Sequence, residues 1–207
     1  MENARNILSR PDQLTLEPGK VVGLVGPPGL GLTRIGLSML AGSVRTGPVV
    51  YLDVRGWANP LAAWETGISP ERLVIVRCSD RLLWPKAAAA LLEGIRAVYA
   101  EVPAGVRESV VRRLAALARS RRSALLLRPL GGDLPTGVAY VRFQGREVAW
   151  EGPDAGHGRL QERRLVLEAS GKGMSGIERV IEVEDDGADV VRMVSRLAVA
   201  PAGRAAG

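Results

Sequence analysis

The residues between positions 21 and 33 have the types and spacing of a loop that binds phosphate. The apolar stretch Val21–Val25 is followed by a turn with Gly26, Gly29 and Gly31, and Thr33 opens an amphipathic segment. Strand, glycine-rich turn and helix in this order bring backbone N–H groups and a helix N-terminus together, which suits a phosphate group. The spacing matches the P-loop pattern G-x-x-x-x-G-K-[ST] at every fixed position except position 32.

Leu32 stands where that pattern requires lysine. The lysine reaches the β- and γ-phosphates of a nucleotide and stabilises the transferring phosphoryl group. One charge-assisted hydrogen bond contributes about 1.5–3 kcal/mol, so its loss lowers affinity by roughly one to two decades. Arg34 points about 200° around the helix from Leu32 and does not replace it. We therefore expect a loop that keeps its shape without hydrolysis, and we keep weak ATP and magnesium binding as the alternative.

Short apolar segments alternate with helical patterns through residue 128. The predicted strands are 21–25, 49–53, 73–77, 97–102 and 123–128, and the predicted helices are 33–41, 61–66, 85–95 and 106–119. Asn59 and Pro60 form a typical helix start, as N-cap and first helical residue. This alternation predicts an α/β fold with a mostly parallel, doubly wound sheet.

The pattern changes after residue 129, where helices are no longer predicted between strands. Strands at 137–143, 146–150, 164–169 and 177–183 are joined by glycine-rich turns, and 188–199 is a last helix or strand. They predict an antiparallel C-terminal extension of the same sheet. We therefore expect an arm at 1–13, one domain at 14–200 and a disordered tail at 201–207.

Composition narrows the classes of function. The single cysteine, Cys78, and the single histidine, His157, argue against a disulfide framework and a structural metal site. No apolar run is long enough for a membrane span, so we expect a soluble, cytoplasmic protein. The net charge of +6 favours an anionic partner such as DNA. The candidate contacts for DNA or an acidic partner are Arg112, Arg113, Arg119, Arg122, Arg163 and Arg164. A solvated exterior is the alternative interpretation of these arginines.

Several ordered segments resemble the core of the RecA recombinase family. They are the glycine loop, residues 50–55 followed by Asn59-Pro60, and residues 66–77, which read Thr-Gly-Ile-Ser-Pro-Glu-Arg-Leu-Val-Ile-Val-Arg. Residues 164–173 are similar to the family's Arg-Val-x-Val-Val-Lys-Asn-Lys stretch. The resemblance covers residues 14–183 and implies a RecA-like P-loop core.

The same resemblance shows which parts of an ATPase are missing. Arg55 matches the catalytic glutamate of the family, and arginine stays protonated and is no base. Glu101 matches the aspartate that binds magnesium, and Leu127 or Arg128 matches the glutamine that senses the γ-phosphate. Asp53 and Glu101 could hold magnesium together if a nucleotide binds. We expect no catalytic residue, no metal site and no bound cofactor.

The pattern of losses resembles ImuA-type proteins, which are RecA-like accessory factors of error-prone translesion synthesis. The segments that match the DNA-binding loops of RecA, 103–105 and 129–136, are short. The resemblance implies a non-catalytic, nucleoid-associated adaptor in the SOS response to DNA damage. Its expected partners are RecA, an ImuB-type polymerase homologue, or both, and self-association stays open. The alternative is a nucleotide-dependent, DNA-binding ATPase of recombination and repair.

Overall fold

The computed structural model describes residues 16–43, 46–152, 162–174, 178–185 and 192–197. The strands in these ranges are β1 (Val21–Val25), β2 (Val49–Asp53), β3 (Leu73–Arg77), β4 (Ala97–Val102), β5 (Ala124–Pro129), β6 (Val141–Glu151), β7 (Glu162–Ser170), β8 (Arg179–Asp185) and β9 (Arg192–Leu197). The α-helices are α1 (Leu32–Ser43), α2 (Pro60–Trp64), α3 (Trp84–Gly94) and α4 (Glu108–Arg121). Short 3₁₀ turns span Pro70–Arg72 and Lys172–Met174. The predicted arm at 1–13 and tail at 201–207 lie outside the described residues.

One mixed sheet contains all the described strands, in the order β3-β2-β4-β5-β1-β6-β7-β8-β9. The pairs from β3 to β6 are parallel, and those from β6 to β9 are antiparallel. β1, β2, β4 and β5 are buried along their whole length, as expected for strands covered on both faces. The prediction of an α/β fold with a mostly parallel sheet and an antiparallel C-terminal part is confirmed.

Apolar residues pack on both faces of the sheet. One core cluster contains Ile35 and Leu40 of α1, and the other contains Trp84 of α3 and Leu114 of α4. Consequently α1 covers one face, while α3 and α4 cover the other. Within the described ranges, no helix has the length and apolar character needed to cross a membrane.

The sequence predicts two strands at 137–143 and 146–150, whereas the structure has the single strand β6, Val141–Glu151. Its first half pairs in parallel with β1 and its whole length pairs antiparallel with β7. The register of the β6–β7 pair shifts between Gly145 and Glu147, so one residue is accommodated as a bulge. The glycine is therefore inside a strand, although in sequence it is typical of a turn. The open choice at 188–199 is decided in favour of a strand, β9.

Local signals at α2 are confirmed. The Asn59 side chain accepts a hydrogen bond from the Leu61 backbone N–H at 3.0 Å, and Pro60 is the first helical residue. The helix is shorter than predicted and ends at Trp64. Helix α2 follows β2 and packs beside α1. The loop between β2 and α2 therefore lies next to the glycine turn.

Candidate functional site

The glycine turn joins the carboxyl end of β1 to α1 in the middle of the sheet. Gly29 and Gly31 have φ angles of +90° and +69°, which favour glycine over other residues. The backbone N–H of Ile35 donates to the Gly31 carbonyl at 3.3 Å as the helix begins. Thr33 is half-buried in the first turn of α1 and lines a cavity there. The predicted strand–turn–helix arrangement, with Gly26 at its start, is therefore present.

Leu32 is a core residue. Its side chain is buried in the cluster that contains α1. A Cβ atom added at Gly145 of β6 would lie 3.4 Å from Leu32 Cδ2 and 2.6 Å from Leu30 Cδ1. The missing side chain at Gly145 thus makes room for both leucines. Position 32 points towards β6, and Arg34 forms an ion pair with Glu65 at 2.7 Å, so neither side chain supplies a charge to the turn.

Asp53, at the end of β2, holds the following loop in place. Its Oδ1 accepts hydrogen bonds from the backbone N–H groups of Gly56 at 2.8 Å and Trp57 at 3.3 Å. Its Oδ2 accepts one from Ala58 N–H at 3.1 Å, and Arg77 Nε lies 3.9 Å away. Both oxygens of this fully buried carboxylate are therefore occupied by the chain itself.

Glu101 of β4 is fully buried and accepts five hydrogen bonds. Its Oε2 accepts from the backbone N–H groups of Val54 at 2.9 Å and Arg55 at 3.1 Å. Its Oε1 accepts from Tyr51 Oη–H at 3.0 Å and from Arg55 Nε–H at 2.9 Å, and Arg55 Nη2 also donates to it. Residues 46 positions apart in sequence thus form one ion pair.

Hydrogen bonding determines the charge state of Glu101. Burial alone would raise the pKa of this carboxyl, but the bonds from the Arg55 guanidinium and from two backbone N–H groups outweigh it and lower the pKa. Burial and the neighbouring Tyr99 and Glu101 raise the pKa of Tyr51, which stays a donor. The Arg55 guanidinium, which pairs with Glu101, also lies 4.6 Å from the centre of the Trp57 ring.

Arg128, at the end of β5, lies beneath the glycine turn. It is buried, and its Nη2 donates to the carbonyls of Gly26 and Pro27 at 3.4 Å each. Its Nε and Nη1 have no hydrogen-bond partner among the described residues. Burial raises the pKa of Tyr99 to about 12, although nearby Arg128 acts in the opposite direction. A lone charge in the otherwise apolar segment Ala124–Pro129 is the sequence signal that indicates this residue.

Arg163 of β7 covers the turn from another side. A Cβ atom at Gly31 would overlap the Arg163 guanidinium, so the absence of a side chain there permits the contact. The guanidinium also lies 5.5 Å from the centre of the Trp150 ring. Arg164 points to the opposite face of the strand, as successive strand residues do, and lies 3.7 Å from Glu162. The two arginines proposed as contacts for DNA or an acidic partner therefore lie on opposite faces of β7, and their role as contacts stays a prediction.

A cavity of about 340 Å³ opens between the turn, α1, α2 and the ends of β2 and β3. Thr33, Arg55 and Arg128 are among its polar lining residues, and Leu37, Tyr51 and Ile75 are among its apolar ones. The cavity thus has cationic groups on one side and an apolar wall on the other. Its described lining contains no carboxylate, because Asp53 and Glu101 lie behind the loop that they organise.

The arginines of α4 are remote from this cavity. Arg112 Nη1 donates to the Thr136 carbonyl at 2.9 Å, and Arg119 Nη1 donates to the Val138 carbonyl at 3.5 Å, so these two share a helix face. Arg113 is exposed, and Arg122 ends the helix. In the described part of the chain, no group of three or more His, Cys, Asp or Glu residues could hold a metal ion.

These features define an α/β protein with a mixed, mostly parallel sheet and a glycine-rich turn between β1 and α1. Residues 13–135 match the family model described as the MT3502 N-terminal domain. The match spans more than half of the chain, and the chain belongs to this family. It includes β1 to β5, α1 to α4 and the turn, and it ends before β6. Among curated proteins, no sequence matches this chain.

Proposed function

We propose that this chain is a non-catalytic, RecA-like accessory protein of the ImuA type. It acts as an adaptor in the response to DNA damage and contacts RecA or an ImuB-type polymerase homologue during error-prone translesion synthesis. The ordered segments that resemble the RecA core support this proposal, because they surround one cavity. Residues 50–55 form the end of β2 and its loop, Asn59-Pro60 starts α2, and residues 66–77 lead into β3.

The ion pair between Arg55 and Glu101 carries the proposal. Arg55 stands at the position of the catalytic glutamate, and Glu101 stands at the position of the magnesium ligand. A magnesium ion at Glu101 would have to displace two hydrogen bonds from the Arg55 side chain inside the protein. Like charges at close range repel strongly where water is excluded, so the guanidinium and the ion would not share this carboxylate. The Arg55–Glu101 ion pair therefore supports a binding protein that functions without magnesium.

Exposed apolar side chains beside the cavity support a protein partner. Trp57, Leu61 and Trp64 are 67%, 52% and 43% exposed, and all lie between β2 and the end of α2. Leu61 and Trp64 are three residues apart on a helix and therefore lie on the same side of it. Large exposed apolar groups mark interaction sites, and tryptophan is enriched among residues that dominate binding energy.

Calorimetry and co-purification test this function. The unmodified chain is titrated with ATP and magnesium, with and without single-stranded DNA, beside a Leu32→Lys variant. We expect no binding and no turnover by the unmodified chain, together with co-purification of RecA or the polymerase homologue. Micromolar ATP binding with turnover would refute the proposal.

A matched pair of surface variants tests the docking residues. Leu61→Ser removes an apolar side chain of the proposed surface, and Leu83→Ser removes one of nearly equal exposure, 54%, at the start of α3. We expect only the first to weaken capture of the partner. Equal losses, or a loss confined to Leu83→Ser, contradict the proposed location.

The second candidate is a nucleotide-dependent, DNA-binding ATPase of recombination and repair. Buried Arg128 and Arg163 favour it, because both place guanidinium groups against the turn in which lysine is missing. The candidate requires that Arg128→Gln lowers ATP affinity by roughly one to two decades, the contribution of one charge-assisted bond. Under the adaptor function neither the variant nor the unmodified chain binds ATP.

A further inference from the structure

A cationic groove lies beside the amino-terminal end of β1, whereas the glycine turn follows the carboxyl end of the same strand. Its volume is about 580 Å³, and its charged lining residues are Lys20, Arg119, Arg122 and Lys172. Lys20 precedes β1, Arg122 follows α4 just before β5, and Lys172 follows β7. The five-residue strand β1 alone separates this groove from the turn, a distance of about 16 Å. The groove is therefore a separate site.

The four cations of the groove lack ion-pair partners within the described ranges, whereas eight other arginines there pair with carboxylates. Ion pairs with carboxylates hold Arg34, Arg55, Arg77, Arg112, Arg121, Arg142, Arg146 and Arg164. The described lining of the groove contains no Asp or Glu. Unneutralised cations from separate elements produce a local positive potential that attracts an anion.

Helix capping accounts for only part of this cluster. Cations near a helix C-terminus are stabilised by the helix dipole, which explains Arg119 at the end of α4. Lys20 and Lys172 belong to other elements, so the dipole does not explain them. Arg122 has a φ angle of +54°, the one positive value at a non-glycine residue in the described part of the chain. Glycine is the usual residue there, because any other side chain is strained in this conformation.

Lys20 is held in position by an aromatic ring. Its Nζ lies 3.9 Å from the centre of the Tyr140 ring, within cation–π range. One face of the ring is thereby covered by the lysine instead of being offered to a base. The groove presents charges to a ligand, and its described lining contains no second aromatic ring on which single-stranded bases could stack.

We infer that this groove binds the phosphodiester backbone of nucleic acid without sequence preference. Regularly spaced phosphates match cations that come from several elements, and phosphate contacts carry no sequence information. An acidic protein fits less well, because protein interfaces have an apolar core with aromatic anchors, whereas the exposed tryptophans Trp57 and Trp64 lie elsewhere. The inference goes beyond the adaptor function and stands without it.

Salt-dependent binding of labelled duplex DNA tests the groove. Anisotropy is measured between about 50 and 200 mM salt, the range in which counterion release is steep. Replacement of both lysines, Lys20→Gln with Lys172→Gln, should reduce the slope of log K against log salt by about 1.8, or 0.9 per contact. At ~0.1 M salt, a slope difference of about 1.8 in log K corresponds to a roughly sixtyfold loss of DNA affinity relative to the unmodified chain, when both affinities are equal at 1 M salt. Thermal melting checks that the variant is folded.

The matched control is Arg121→Gln with Arg146→Gln, which lowers the net charge by the same amount. Both arginines are half-exposed, and each already pairs with a carboxylate. We expect the control to keep most of the affinity. Equal losses in both double variants, or no DNA binding by the unmodified chain at the lowest salt, would overturn the inference. Displacement of the DNA by poly-glutamate at equal charge concentration would overturn it in favour of an acidic protein. The assay contains no RecA and no polymerase, so its outcome is independent of the adaptor test.

Discussion

Replacement of Glu101 by glutamine should strongly destabilise the protein. The carboxylate is fully buried and accepts five hydrogen bonds, two of them from the Arg55 side chain. Glutamine keeps the size but removes the charge and places an amide donor among these donors. Removing one partner of a buried ion pair costs about 3–5 kcal/mol. In a chain of this length each kcal/mol lowers Tm by about 2–4 °C, so we expect a decrease of at least ~6 °C.

A double-mutant cycle with Arg55→Gln isolates the interaction. Each single variant is compared with the double variant by urea denaturation, which measures the free energy of unfolding. Because the two side chains are in contact, the double variant should be more stable than the sum of the single effects predicts, by about 0.5–3 kcal/mol. Tyr51→Phe is the control, since it removes only the neutral hydrogen bond from Tyr51 Oη, worth about 1 kcal/mol.

The same pair makes stability depend on pH. The folded pKa of Glu101 is lowered, because hydrogen bonds from Arg55 and two N–H groups outweigh the effect of burial. The unfolded chain therefore binds more protons in acid, and stability rises with pH there. The contribution is fully present above the unfolded pKa of about 4.3 and is lost as pH falls through the folded value. Glu101→Gln should lack this acid-dependent component.

Small effects would refute this reasoning. The free energy of unfolding of Glu101→Gln could lie within about 1 kcal/mol of that of the unmodified chain, which is less than the cost of an unpaired buried charge. In that case the ion pair does not hold the site together. Additive effects in the cycle would lead to the same conclusion. The main support for a magnesium-independent function would then be lost.

Two further predictions concern glycines. Gly31→Ala should lower stability, because its φ is +69° and its Cβ would overlap the Arg163 guanidinium; adding Arg163→Ser should recover part of the loss in the same urea assay. Gly36→Ala places a Cβ 2.7 Å from Tyr99 Cε2 in the core and should cost about 1–3 kcal/mol by thermal melting. Gly94→Ala, which has no atom within 4 Å, is its control and should leave Tm unchanged or slightly higher.

The sequence by itself determined the elements whose signals are local. The strands Val21–Val25, Val49–Asp53, Leu73–Arg77 and Ala97–Val102 begin and end as predicted, because short apolar runs bounded by turn residues are typical of parallel strands. The start of α2 was also predictable, since Asn59 and Pro60 act on their own helix terminus. The glycine turn follows for the same reason. The sequence likewise showed leucine at position 32, where the P-loop pattern has lysine.

Tertiary structure decided what these residues contact. Leu32 is a core residue because Gly145, far along the chain, leaves space for it. Glu101 binds Arg55 across 46 residues of sequence, and Arg163 reaches Gly31 from β7. Lys20, Arg119, Arg122 and Lys172 meet in one groove only when their strands and helix are assembled. Hydrophobic periodicity specifies which side of an element is buried, whereas the partner of a buried charge depends on which elements the folded sheet brings together.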